Sequence, residues 1–298
     1  MLLLLPAAFA QETEPLVFRS GVSLLKVDTL VTGKDGRPLQ KLEKQDFRIF
    51  DENAEQAITY FETDKAPLDV LLLLDVSGSM KRSIEEMAKA TQSALAGLQP
   101  QDRVSVMLFA RRRAVRQAFT TQAGEVERAL RDAFRENSLG SGTLINPSLL
   151  VAADHMSKQE PRGRRAVIIL TDNQGLNYQS PDEAVVKAFL SADTVLNAIV
   201  VGGAKAPAKD PIANPDFTPA NVFAISEQTG GESIAARKAG EAFEAMVERI
   251  RSRYSIQYAL PAGASPGSFH KVRVDLSAAA HKRFPNARIA ARSGYYVP

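Results

Sequence analysis

The chain has 298 residues, 45% of them hydrophobic and 24% charged, with a formal net charge of +3 and neither cysteine nor tryptophan. That supplies apolar material for one large or two modest cores, and the small, dispersed charge leaves no basic tract for nucleic acid. Without cysteine, thiolate metal sites, cysteine nucleophiles and a lipid anchor on an N-terminal cysteine are excluded, and an oxidising compartment outside the cytoplasm suits the chain.

Residues 1–10 are a short apolar run ending in Ala8-Phe9-Ala10, the small-x-small pattern of a signal-peptide cleavage site, with Gln11 as the expected mature start. No Lys or Arg precedes Arg19, which a truncated or mis-assigned start explains. No stretch reaches the ~20 apolar residues of a membrane-spanning helix. The expectation is an exported protein, periplasmic or extracellular.

Residues 17–66 form an N-terminal β region. Ser23–Thr32 alternates, with Leu25, Val27, Thr29 and Val31 on one face, and turns at Lys34–Pro38 and Asp51–Asn53 separate further pieces at Phe47–Phe50 and Ala57–Phe61. Over 68–256 the rhythm changes. Val70–Leu74 is a continuous apolar strand, expected to be buried on both faces. A helix follows at Ile84–Leu98, then a strand at Arg103–Phe109. Arg111-Arg112-Arg113 marks a hairpin tip leading into an antiparallel edge strand at Ala114–Phe119. Helices are predicted at about 123–136 and 146–157, a buried strand at Ala166–Leu170, a helix near 182–191 and a strand at Val195–Val201. The Pro-rich loop Gly202–Pro219 precedes a helix, a short strand at Ser233–Ala235 and an amphipathic helix at about 239–253. Strands alternating with helices make a doubly wound, mainly parallel α/β sheet. Strands return at Tyr254–Leu260, Lys271–Leu276 and Arg288–Tyr296. The C-terminal β region, 257–298, is expected to pack with the N-terminal one in a small β-sandwich.

In doubly wound sheets ligands sit beyond the carboxyl ends of the strands. Three loops converge there: Asp75-Val76-Ser77-Gly78-Ser79, Gly140-Ser141-Gly142-Thr143, and Thr171-Asp172. Asp75, Ser77, Ser79, Thr143 and Asp172 make an all-oxygen set without sulfur or imidazole. Such a set suits Mg²⁺, with Mn²⁺ or Ca²⁺ as substitutes, and disfavours zinc or copper. Hydroxyls and indirect carboxylates leave a coordination position open, and the site is short of negative charge, so an Asp or Glu carboxylate of a partner protein is the natural sixth ligand.

Leu74–Met80 resembles the DxSxS motif of von Willebrand factor A domains, Gly142-Thr143 followed by Leu144–Leu150 their threonine loop, and Leu170-Thr171-Asp172 their aspartate loop. The order and spacing agree over 68–256. The resemblance implies a metal-ion-dependent adhesion site, in which the two serines would bind metal directly, Thr143 directly or through water, and Asp75 and Asp172 mostly through water. Asn173 stands where the family usually has Gly, and Asn tolerates left-handed backbone angles better than most residues. More narrowly, Asp35–Pro38, Leu42 to Phe47, Ile58–Phe61, Thr229-Gly230-Gly231, Tyr254–Tyr258 and Gly294–Tyr296 resemble the VWFA-related proteins abundant in Acidobacteria.

Lys81, Arg82, Arg111, Arg112 and Arg113 are candidates for a cationic rim that steers an acidic partner, beside a plainer reading as solvated charge. The Pro-rich loop is a binding loop or a simple insertion, with Asp210 and Asp216 solvated. His155, His270 and His281 have no ligand spacing. Aspartyl-phosphate enzymes need a second Asp two positions after the first, where this chain has Ser77. No GxxxxGK[ST] loop is present, which argues against nucleotide. The expected function is non-enzymatic, metal-dependent protein binding. A metal-dependent hydrolase and a structural module with an incidental metal are the alternatives.

Overall fold

The computed structural model describes residues 23–63, 66–175, 179–207 and 219–297. The leader at 1–10 and most of the Pro-rich loop, with Asp210 and Asp216, lie outside them. The N-terminal region gives four strands, β1 (Leu24–Thr32), β2 (Phe47–Asp51), β3 (Ala54–Gln56) and β4 (Ile58–Glu62). The central unit runs β5 (Leu68–Asp75), α1 (Lys81–Leu95), β6 (Arg103–Phe109), β7 (Arg113–Thr120), α2 (Ala123–Ala133), α3 (Ile145–Ser157), β8 (Arg164–Thr171), α4 (Asp182–Ser191), β9 (Val195–Val200), α5 (Val222–Thr229), β10 (Ser233–Ala235) and α6 (Ala239–Arg251). β11 (Tyr254–Ala259), β12 (Phe269–Leu276), α7 (Ala278–Arg283), β13 (Arg288–Ala290) and β14 (Gly294–Tyr296) complete the chain.

The central sheet has the order β10-β9-β8-β5-β6-β7. Its strands are parallel except the edge strand β7. β5 has helix-covered sheet on both faces, and its period-two alternation divides its side chains. Val70, Leu72 and Leu74 join the core under α1, α2 and α6, while Leu71 and Leu73 join the core under α3, α4 and α5. The amphipathic spacing of α1 turns Ile84, Met87, Ala88, Thr91, Ala94 and Leu95 inward. From β5 the chain winds outward to β6 and then crosses back to β8. The sheet therefore reverses direction at β5, and the ends of β5, β6 and β8 open onto one crevice.

The terminal strands build two four-stranded antiparallel sheets, β13-β1-β11-β4 and β14-β12-β2-β3. Val27, Val31, Phe47, Ile49, Tyr254, Ile256, Tyr258, Val274 and Tyr295 fill the space between them. Both sheets combine strands from the two ends of the chain, giving the expected β-sandwich.

Three local features differ from the sequence expectation. Arg288–Tyr296 is two short strands in opposite sheets. Between them Arg292 is buried and holds Asp193 at 2.6 Å, and Ser293 N donates to the Gln228 carbonyl, pulling the chain across. The second face of β1 is buried as well, because it packs on the central unit: Lys26 Nζ donates to the Gly163 carbonyl at 2.8 Å, and Arg164 lies 3.5 Å from Asp28. Finally, α7 forms where no helix was expected, with the Ser277 hydroxyl capping it by accepting from Ala280 N.

Candidate metal centre

Parallel pairing sets Leu74 opposite Leu170 and Asp75 opposite Phe109, so the three strands stop at the same edge. Asp75 is fully buried. Its Oδ1 accepts from Ser77 N at 3.0 Å, which folds the chain back into a tight turn. Met80 N donates to the Ser77 carbonyl at 2.9 Å, and the buried Met80 side chain anchors the loop from below. The small side chains of Ser77 and Ser79 are left at the surface of this turn, their hydroxyls 3.3 Å apart.

Ser79 Oγ donates to Asp172 Oδ2 at 2.7 Å, joining the first loop to the aspartate loop. Asp172 is 9% exposed, and its Oδ1 accepts from Gln174 N at 3.1 Å. Asn173 takes φ +55°, the left-handed conformation expected of it. Thr171 was not singled out in the sequence as a site residue, yet it organises the centre. Its hydroxyl donates to Asp75 Oδ2 at 2.9 Å and accepts from Asn173 N at 3.0 Å. The available signal is a single hydroxyl closing the apolar run Ala166–Leu170 beside Asp172.

The threonine loop reaches the same crevice by its backbone. Leu144 N donates to the Ala110 carbonyl at 3.1 Å, just past the end of β6. A Cβ on Gly175 would lie 3.0 Å from the Thr143 carbonyl and 2.5 Å from Ile145 Cγ1, so glycine at 175 is what lets the aspartate and threonine loops touch.

Burial pushes the Asp75 carboxyl above its ordinary pKa; the Ser77 and Thr171 hydrogen bonds oppose this, and the nearby Asp172 charge adds to it. Seven aspartates are buried among the described residues. Five face a cationic or histidine side chain: Asp28 has Lys26 and Arg164, Asp46 has Arg283, Asp51 has His270, Asp69 has Arg103, and Asp102 has Arg251. Asp75 and Asp172 have no such partner among the described residues.

Lys81 and Arg82 open α1, with Arg82 Nε 3.2 Å from Glu86. Arg111 and Arg112 form the tip between β6 and β7, and Arg113 begins β7 opposite Phe109. Arg112 is held to the loop after α2, its backbone N–H on the Leu139 carbonyl and its guanidinium on Ser138 O. The three histidines lie elsewhere: His155 stacks on Phe119, His270 contacts Asp51 and His281 contacts Asp275. Among the described residues no three His, Cys, Asp or Glu side chains gather as a metal-binding group. The crevice instead combines two carboxylates with hydroxyls.

Residues 70–174 match the family model of the von Willebrand factor type A domain. The chain carries a von Willebrand factor type A domain. The matched stretch of this VWA domain runs from β5 through the aspartate loop and contains Asp75, Ser77, Ser79, Thr143 and Asp172. Among solved structures, proximal thread matrix protein 1 of the mussel byssus, with a zinc-occupied MIDAS motif, aligns with a TM-score of 0.50 and 18% identity, over 67% of this chain and 49% of that one. A von Willebrand factor type A protein of Catenulispora acidiphila aligns with a TM-score of 0.47 and 12% identity, over 87% of this chain and 76% of that one. An aerotolerance-related membrane protein of Bacteroides fragilis aligns with a TM-score of 0.47 and 20% identity, over 61% of this chain and 98% of that one. No curated protein sequence matches the chain. No helix among the described residues is long and apolar enough to cross a membrane.

Proposed function

We propose that the VWA domain holds one divalent cation with Ser77, Ser79, Thr143, Asp75 and Asp172, and that the protein acts outside the cytoplasm by capturing an Asp or Glu side chain of a partner protein. The observation that carries this reading is the pair of buried carboxylates, Asp75 and Asp172: among the described residues they have no cationic or histidine partner, whereas the other five buried aspartates each face one. Buried charge is kept only where something opposes it, and a divalent ion fits the oxygen donors gathered at this edge. When bound, the ion supplies a Lewis-acidic position for an incoming carboxylate.

The chain's own groups prepare that position. Thr171 and Ser77 N orient the Asp75 carboxylate, Gln174 N orients Asp172, and the Ser77 turn presents two hydroxyls side by side. With the histidines outside the crevice and Ser77 in place of a second acid, these residues are equipped to bind and not to transfer protons.

The oxygen donors favour Mg²⁺, followed by Mn²⁺ or Ca²⁺. Zinc in the mussel protein's motif makes Zn²⁺ a necessary arm of the comparison. Calorimetric titration with each metal, paired with capture of partners from the exported fraction with and without chelator, tests the reading. One bound divalent ion per chain and chelator-sensitive capture are expected. Absence of binding heat with every metal would overturn the proposal.

A further inference from the structure

Resting on the metal reading above, we infer that the partner segment is polyanionic: the metal-seeking carboxylate sits among further acidic residues, which a collar of lysine and arginine around the crevice reads. The central residue is Arg111. Its Cβ lies 3.4 Å from the place a Cβ on Gly140 would occupy, and the preceding Ala110 carbonyl accepts from Leu144 N. Arg111 is thus bracketed by both ends of the threonine loop while remaining exposed.

Two other exposed cations stand over the neighbouring loops. Lys81 follows directly on the Ser77–Met80 turn. Lys205 lies three residues after Gly202, whose missing Cβ would lie 3.7 Å from Asp172 Cβ. Among the described residues no ion pair involves Arg111, Lys81 or Lys205, and Arg82 and Arg113 add charge to the same rim. The nearby acids are already engaged. Glu136 is held by the Ser138 hydroxyl and N–H and then by Arg116, which pull its carboxyl pKa down to about 2. Glu86 accepts from Arg82 and from Ala239 N. Among the described residues Arg111, Lys81 and Lys205 therefore have no ion-pair partner, and they follow three different loops at the crevice edge. A lone carboxylate uses only the metal; flanking carboxylates would use the collar. Rim charges of this kind act mainly on association rate and salt dependence.

The test uses the full chain and two synthetic peptides, one with a single Asp among Gly and Ser, the other with the same Asp flanked by Glu. In Mg²⁺ at low salt the acidic peptide is expected to associate about tenfold faster, with the advantage fading toward 0.5 M NaCl as the charges are screened. R111E is expected to cut that rate several-fold and flatten its salt slope. Equal rates for the two peptides, including no binding by either, overturn the inference, as does an R111E rate equal to wild type. A sulfated oligosaccharide that binds more tightly than the acidic peptide, and equally in chelator, also overturns it. Magnesium calorimetry on the same preparation separates the two claims: heat of binding with indifferent peptides removes the collar and leaves the metal, whereas no heat removes the metal itself.

Discussion

Replacing Asp75 by Asn should make the protein more stable without metal and less stable with it. In the metal-free chain Asp75 is fully buried, accepts two hydrogen bonds and faces a second carboxylate, not a cation. Asn has almost the same shape. Its carbonyl can accept from Ser77 N, and its amide can donate to Thr171 Oγ1, which has a second lone pair free after taking Asn173 N. The substitution therefore removes an opposed charge at the expense of the acceptor for the Thr171 hydroxyl proton, a net gain of about 1 kcal/mol. For a unit of this size that corresponds to about 2–4 °C in Tm. With metal the order inverts. At a hundredfold excess of Mg²⁺ over its Kd the wild type gains about 2.7 kcal/mol, about 5–10 °C, and D75N gains almost nothing. Thermal melts followed by circular dichroism in EDTA and in Mg²⁺ give the four midpoints. A D75N midpoint below wild type in EDTA, or a wild-type midpoint indifferent to metal, would refute the assignment of Asp75 as a carboxylate kept for a cation.

Thr171→Val keeps the shape of β8 but deletes the donor to Asp75 and the acceptor for Asn173 N. Magnesium affinity should fall about 10–100-fold with about 1–3 kcal/mol lost from the fold, both checked by calorimetry and urea titration. Gly231→Ala would place a Cβ 1.7 Å from the Leu196 carbonyl; the backbone must shift, and a loss of about 3 kcal/mol or more is expected from urea midpoints. Asp28→Asn leaves Arg164 and Arg253 buried with less compensation and should cost about 3–5 kcal/mol. Burial works to raise the Asp28 carboxyl, yet Lys26, Arg164, Ser255 and Arg253 together hold it below its ordinary 3.8. The stability it contributes is present above that value and is lost as pH falls through the lowered pKa. The gap between wild type and D28N should therefore narrow below about pH 4, and a gap constant with pH would count against the network.

The parts of the fold legible in sequence were those set by local apolar pattern. The runs at Val70–Leu74 and Ala166–Leu170 carry their own evidence of two-sided burial, and the helix at 182–191 matches α4 to the residue. The crevice was legible because its small polar residues follow directly on those runs. Pattern failed where tertiary contacts decide. Nothing in Ala290–Gly294 taken alone assigns its two ends to different sheets; the crossing is imposed by the contacts of Arg292 with Asp193 and of Ser293 with Gln228. The Lys26 and Asp28 positions of β1 look solvent-facing because charged residues usually are. Lys26 is half-buried and Asp28 buried because Gly163, Arg164 and Asp193 wait on the other unit. Thr171 was passed over for a similar reason, since its role depends on Asp75, 96 residues earlier in the chain.

That docking network also bears on how the crevice can work. The sandwich meets the central unit at the beginnings of the parallel strands. Lys26 reaches Gly163 and Asp28 reaches Arg164 at the start of β8, Arg292 reaches Asp193 just before β9, and Arg253 donates to the Gly230 carbonyl just before β10. The buried Arg253 has its guanidinium lowered to about 10 by desolvation, against the pull of Asp28 and Glu232, so its placement there is a cost the interface must offset. The candidate metal residues stand at the opposite ends of the same strands. β8 runs eight residues from Arg164 to Thr171, and its steps of ~3.3 Å put about 23 Å between the docking network and the aspartate loop. The sandwich is thus fixed where it cannot cover the crevice. A partner can approach the strand ends without displacing any of the contacts that hold the two units together.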